Sequence, residues 1–117
     1  GLFGKGVTKI GQGHLDMVTR HVNDYKVLLF TKSTCGYCKA ALDLLEAGKV
    51  ECKVFQIDKE KEGNLMKSAL MELTNQRTVP NIFINGHHVG GFDGLKEKLE
   101  TGDLQKMLDE AKIQHIF

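Results

Sequence analysis

Apolar residues recur along this chain with two different periods, and the alternation between them outlines the fold. Between His14 and Tyr25, Leu15, Val18 and Val22 fall at helical spacing, which predicts a first helix. Lys26 to Thr31 is a continuous apolar run rich in β-type residues, suited to a strand buried on both faces. From Cys38 onward Ala41, Leu42 and Leu45 share one side while Lys39, Asp43 and Glu46 lie elsewhere, and Gly48 is placed to stop that helix. Glu51 to Asp58 reads as a second strand, an inner one. The alternation of Val50, Cys52 and Val54 turns Cys52 inward there as a small buried hydrophobe.

Asn64 to Leu73 predicts a helix whose apolar face is Leu65, Ala69, Leu70 and Leu73; Met66, Met71 and, later, Met107 also fit helix faces. Pro80 to Ile84 is a third strand, with the proline at its first position, where no ladder donor is required. Asn85-Gly86 is a two-residue hairpin turn leading into His87-His88-Val89. After Gly90-Gly91 a helix runs from about Phe92 to Leu99. Thr101-Gly102-Asp103 restarts a last one, with Leu104, Met107, Leu108 and Ala111 as its apolar face.

The order α-β-α-β-α-β-β-α-α implies an α/β fold with a mixed sheet of four strands and helices on both faces. Residues 1–13 are glycine-rich and aperiodic and read as a flexible tail, which leaves 14–117 as one domain. The first residue is Gly1, not Met, so Gly1 to Gly6 reads as a non-native remnant or the trimmed end of a precursor, and no targeting segment is legible. A net charge of +1 over 117 residues gives no reason to expect nucleic acid or an anionic membrane as the main partner. No apolar run approaches the ~20 residues a spanning helix needs. The Lys59-Glu60-Lys61-Glu62 run reads as a solvated turn, and His14, His21, His87, His88 and His115 read as surface or packing residues.

Composition changes the picture at one point. An odd count of three cysteines does not suit a disulfide scaffold, and two of them form the pair Cys35-Gly36-Tyr37-Cys38 between a strand and a helix. A thiolate is the nucleophile of disulfide exchange. Cys35 lies where helix N-terminal amides can donate to its sulfur. Lys32 and Lys39 flank it, and the Cys38 thiol is one turn away. Spacing gives Cys35, at the exposed helix start, the attacking role and Cys38 the resolving one. A zinc site would need a second close pair of ligands. Cys52 is alone, and His87 and His88 sit on a short strand whose neighbours face opposite ways.

Four separated segments then make a resemblance: Lys32-Ser33-Thr34-Cys35-Gly36-Tyr37-Cys38, Arg77-Thr78-Val79-Pro80, Asn81 to Gly86, and Val89-Gly90-Gly91-Phe92-Asp93. Over about residues 15–113 the chain resembles a dithiol glutaredoxin of the thioredoxin superfamily. The resemblance implies a thioredoxin-like fold and a glutathione site. In that site Lys32 and Arg77, helped by Gln76, hold the glycine carboxylate. Thr78-Val79-Pro80 forms a cis-proline loop whose Val79 backbone pairs with the tripeptide. Tyr37 flanks the sulfur and Phe92 the rim, and Gly91 and Asp93 at a helix start receive the γ-glutamyl end. Two positions depart from the family pattern. Gly36 stands where proline is commonest, and Gly94 stands where many members have a second Asp after Asp93.

The function implied is reduction of glutathione mixed disulfides and of protein or small disulfides, with glutathione as reductant. Gly36 opens an alternative, since resembling proteins with a small residue there hold a [2Fe–2S] cluster between two subunits, through the nucleophilic cysteine (here Cys35) and glutathione. A third reading is a thioredoxin-type disulfide reductase, against which stand the absence of Trp and the cationic glutathione positions. The expected partners are glutathione and glutathionylated or disulfide-containing proteins, without nucleic acid or membrane. The apo protein is expected to be a monomer. The expected location is a reducing intracellular compartment: the cytoplasm, or a mitochondrion or plastid if a leader was removed.

Overall fold

The computed structural model describes residues 12–117. The expected tail, residues 1–13, lies almost wholly outside them; of it only Gln12 and Gly13 are described, at the start of the first helix. Helix α1 spans Gly13–Asp24, strand β1 Val27–Thr31, α2 Gly36–Ala47, β2 Lys53–Gln56 and α3 Gly63–Thr74. They are followed by β3 Asn81–Ile84, β4 His87–Gly90, α4 Phe92–Thr101 and α5 Asp103–Glu110.

The sheet order is β2-β1-β3-β4, with β2 parallel to β1 and the other neighbours antiparallel. The expected fold class is thus the one observed, a four-stranded mixed sheet with five helices. β1 and β3 are central and buried at every position, as their unbroken apolar runs require. Successive side chains point to opposite faces, and each face is covered. Leu28, Phe30 and Phe83 pack with Val18 and Val22 of α1 and Met66, Ala69 and Leu70 of α3. Leu29, Ile82 and Ile84 pack on the other side with Ala41 and Leu45 of α2, Leu95 of α4, and Leu104 and Leu108 of α5.

Two expectations are corrected, and a third, the stop of α2 at Gly48, holds without a positive φ at the glycine. β2 is an edge strand, not an inner one, and Cys52 precedes it, half-buried, with its thiol 3.5 Å from the Val50 carbonyl. The short run of alternating apolar residues cannot say which side of β1 the strand will join. On α3 the buried face starts at Met66, and Leu65 is 49% exposed. The helix is rotated because Gly63 lies flush against the chain after β2. A Cβ there would stand 1.7 Å from the Ile57 carbonyl oxygen. After α2 the residue with positive φ is Lys49, at 57°, while Gly48 has φ −84°. A Cβ at Gly48 would meet the Phe117 ring, which would have to swing aside.

The hairpin turn is as expected: Asn85 and Gly86 have φ of 50° and 80°, the paired positive values of a type I′ turn. Beyond it the ladder slips by one residue. Phe83 faces His88 but Ile82 faces Gly90, so Val89 is the extra residue of a bulge. Gly90, at φ 105°, turns the chain toward α4 in a conformation that L side chains rarely adopt.

Candidate active site

Strand directions decide where the chemistry gathers. Antiparallel pairing sets Phe30 opposite Asn81, so the C-terminal end of β1 meets the N-terminal end of β3. Pairing of Ile82 with Gly90 brings the end of β4 to the same edge. The loops 32–35, 75–80 and 90–93 therefore converge although they are far apart in sequence.

Cys35 is the N-cap of α2. Its backbone is extended, and its sulfur accepts the Cys38 backbone N–H at 3.2 Å. Sulfur takes the place of the usual Ser or Asp oxygen because the chain leaves β1 and turns into the helix within four residues. The same sulfur lies 3.7 Å from the Val79 carbonyl oxygen, across the cleft. Cys35 is half-buried, whereas Cys38, inside the first turn, is 2% exposed. Both are free thiols, as is Cys52. Burial, followed by the hydrogen bond with Cys35, pushes the Cys38 thiol up to about 12, against the opposing pull of the Lys32 amide and charge. Cys38 is thus protonated at neutral pH and can act only after Cys35 has been engaged. Burial thus separates the two thiols of the pair. Burial alone pushes Cys52 up to about 11.

A shallow groove of about 460 Å³ runs away from the thiol. Thr78, Val79 and Pro80 form one wall, with the Val79–Pro80 bond cis, and Gly91, Phe92, Asp93 and Gly94 form the other. Tyr37 and Gln76 also line it. Tyr37 is 67% exposed, its ring 6.2 Å from that of Phe92. Eight of the ten residues expected to bind glutathione are thus brought together. The other two, Lys32 and Arg77, are exposed and do not line it; Arg77 borders a neighbouring depression with Lys67, Ser68, Met71 and Glu72. Size does not mark the site. A depression of about 590 Å³ lies beside Tyr25, Lys26 and the Asn85-Gly86 turn and carries no thiol.

Two side chains behave differently from expectation, and the departure at Gly94 has a steric reason. Lys39 pairs with Asp43 at 2.8 Å, one helical turn on, which raises its pKa and ties it to Asp43 instead of leaving it to assist Cys35. Gln76 turns its amide nitrogen inward, donating to the carbonyls of Thr78 at 2.9 Å and Pro80 at 3.0 Å. At Gly94 a Cβ would lie 2.6 Å from the Val89 carbonyl oxygen, so the backbone excludes the second acidic residue.

Two braces were not foreseen. Asp58, just past β2, accepts the Ser33 backbone N–H at 3.0 Å and also the Ser33 hydroxyl, and this holds its carboxyl below the usual range. It steadies the loop carrying Lys32 and Cys35. Behind the groove, Thr74, Asn81 and His88 form a polar chain to Gln76. The signal for it was Asn81 itself, a polar residue opening an otherwise apolar strand.

Among the described residues no group of three or more His, Cys, Asp and Glu could hold a metal ion, and no helix is long and apolar enough to cross a membrane. Residues 27–89 match the family model described as Glutaredoxin. The chain is 42% identical over 93 residues to Glutaredoxin-1 of Rhizophagus irregularis, covering 80% of this chain and 92% of that one. It is 44% identical over 98 residues to Glutaredoxin-1 of Saccharomyces cerevisiae, covering 77% and 89%. A structure of a buckwheat glutaredoxin–glutathione complex superposes with a TM-score of 0.81 at 37% identity, covering 83% of this chain and 88% of that one.

Proposed function

The chain belongs to the glutaredoxin family and is a glutathione-dependent thiol–disulfide oxidoreductase; from that premise we propose how its residues divide the work. The observation that carries the reading is the seat of the Cys35 sulfur, 3.7 Å from the Val79 carbonyl at the head of the groove. A glutathione lying in the groove places its own sulfur beside that of Cys35.

The Cys35 thiolate attacks the glutathione sulfur of a mixed disulfide. The Cys35–glutathione bond forms, the bond to the substrate breaks, and the substrate sulfur leaves as a thiolate that takes up a proton. The thiolate of a second glutathione attacks the bound one. Glutathione disulfide leaves and Cys35 is again a thiolate. For protein or small disulfides, Cys38 gives up its proton and attacks Cys35. The second substrate thiol is released, and two glutathiones then reduce the Cys35–Cys38 bond.

Val79 offers its backbone to the tripeptide as an added strand, with Thr78 and Pro80 on either side. Lys32 and Arg77 reach in from the rim for the glycine carboxylate, and Gln76 acts on it through the loop that it braces. The amides of Gly91, Phe92 and Asp93 at the start of α4 receive the γ-glutamyl carboxylate. Asp93 alone carries the ammonium contact, and Tyr37 covers the thioether side. Residues 14–117 act as one glutaredoxin domain, working in a reducing intracellular compartment, of which the cytoplasm best suits free thiols.

The test is deglutathionylation of a defined mixed disulfide. Cys35→Ser abolishes turnover and Cys38→Ser keeps much of it; full activity in Cys35→Ser overturns the assignment.

A second reading rests on Gly36. It is exposed, and a Cβ there would meet nothing within 4 Å, so the face around Cys35 is open to a second copy. The half-buried Cys35 thiol beside this open face suits a [2Fe–2S] cluster shared by two chains, with Cys35 of each and two glutathiones as ligands. Such a cluster would tie up Cys35 and keep the oxidoreductase latent. Reconstitution with iron, sulfide and glutathione gives a brown dimer if this holds. A colourless, iron-free monomer counts against it.

A further inference from the structure

We propose that His88, on the outer strand β4 and outside the groove lining, is a positioning residue for the glutathione groove. Through Asn81 and Thr74 it orients Gln76, and Gln76 holds the Thr78–Pro80 wall. The proposal rests on the reading that this wall binds glutathione.

The direction of every bond in the chain follows from one hydroxyl. Thr74 has a single hydroxyl proton, and it goes to the Leu70 carbonyl at 2.6 Å. Its oxygen must therefore accept, from the Gln76 backbone N–H and from the Asn81 amide nitrogen, both at 3.2 Å. That turns the Asn81 side-chain oxygen toward His88, whose Nε2 lies 2.8 Å away. An amide oxygen cannot donate, so Nε2 carries the proton. Asn81 is 1% exposed, and solvent cannot replace a lost partner. The His88 ring, 5.1 Å from that of Phe83, is held in place on the same face of the sheet. At the far end the Gln76 amide bridges the Thr78 and Pro80 carbonyls on either side of Val79. The bulge at Val89 sets the register that puts His88 opposite Phe83. Without His88 the Asn81 oxygen is orphaned, its amide turns to find a donor, and Thr74 and Gln76 lose their fixed geometry.

The test separates binding from chemistry in steady-state turnover of a glutathione mixed disulfide. His88→Ala raises KM about fivefold, the scale of one hydrogen bond's worth of positioning. It leaves kcat and the rate of Cys35 alkylation by iodoacetamide unchanged. His88→Gln, which keeps an N–H donor, recovers most of the loss. Thr74→Val, close in shape but without the hydroxyl, raises KM alike, and combining it with His88→Ala adds little. Unchanged KM in His88→Ala or in Thr74→Val overturns the proposal. So does a parallel fall of kcat, alkylation rate and melting temperature, which marks a general loss of structure. If His88→Ala fails to fold, Thr74→Val decides the matter alone. Wild-type protein that shows no saturable turnover refutes the glutathione reading itself, whereas saturable wild type with unaltered variants refutes only the role of His88.

Discussion

Gly63→Ala tests the seam on which the site depends. Gly63 begins α3, and a Cβ built on it stands 1.7 Å from the Ile57 carbonyl oxygen. Even the 3.0 Å limit of real contacts requires the two backbones to separate by about 1.3 Å. Neither side yields easily. Ile57 is tied to β1 by its N–H, which donates to the Thr31 carbonyl at 2.8 Å, and α3 is anchored by Met66, Ala69 and Leu70 in the core. Overpacking costs ~1–3 kcal/mol, and an opposing backbone atom places this case near ~3 kcal/mol. The better helix propensity of alanine offsets at most about 1 kcal/mol. The net loss of ~2 kcal/mol lowers Tm by roughly 8 °C for a domain of this size. The strain also reaches the site, because Thr31 leads to Cys35 and Asp58, next to Ile57, braces Ser33. Thermal unfolding followed by far-ultraviolet circular dichroism gives Tm, and turnover of a mixed disulfide at 25 °C gives the functional share. A variant that melts within about 2 °C of wild type refutes the reasoning, since no overpacking of this kind could be so small.

Two further outcomes are expected. Thiols held up to about 12 at Cys38 and about 11 at Cys52 remain protonated at neutral pH, so brief alkylation of the folded, reduced protein at pH 7.5 labels Cys35 alone. Comparable labelling of Cys38, read by peptide mass, contradicts the asymmetry of the pair. Burial lowers the pKa of His88, and burial also dominates at His21, where Arg20 and Lys53 add to it against Asp24 and Glu60. The unfolded chain then binds protons before the folded one as pH falls. Their contribution to stability is complete above the ordinary value of 6.5 and is lost on acidification through the lowered values. Tm falls between pH 7 and pH 5, less steeply in His21→Gln; a flat or rising profile disproves the linkage.

Much of the molecule was legible because its signals are local. The turn at Asn85-Gly86, the buried run of β1, the helical spacing after Cys38 and the thiol pair at a strand–helix junction each follow from a few neighbouring residues and their backbone preferences. These established the fold class and the thiol pair. What went astray depended on a partner far along the chain. Leu65 and Met66 both fit a helical stripe, and only the close approach of Gly63 to Ile57 rotates α3 to bury the latter. β2 reads as an inner strand until the order of strands places it at the edge, where Cys52 is only partly buried against the core. Lys39 flanks Cys35 in sequence but pairs with Asp43. The sequence by itself determined the chemistry and the elements that carry it. The tertiary structure alone decided that Gln76 faces its own loop, that Asp58 braces Ser33 and that His88 stands behind the groove. Hydrogen bonds between segments brought together by strand pairing have no period and no motif, and they exist only once the sheet has chosen its order and register.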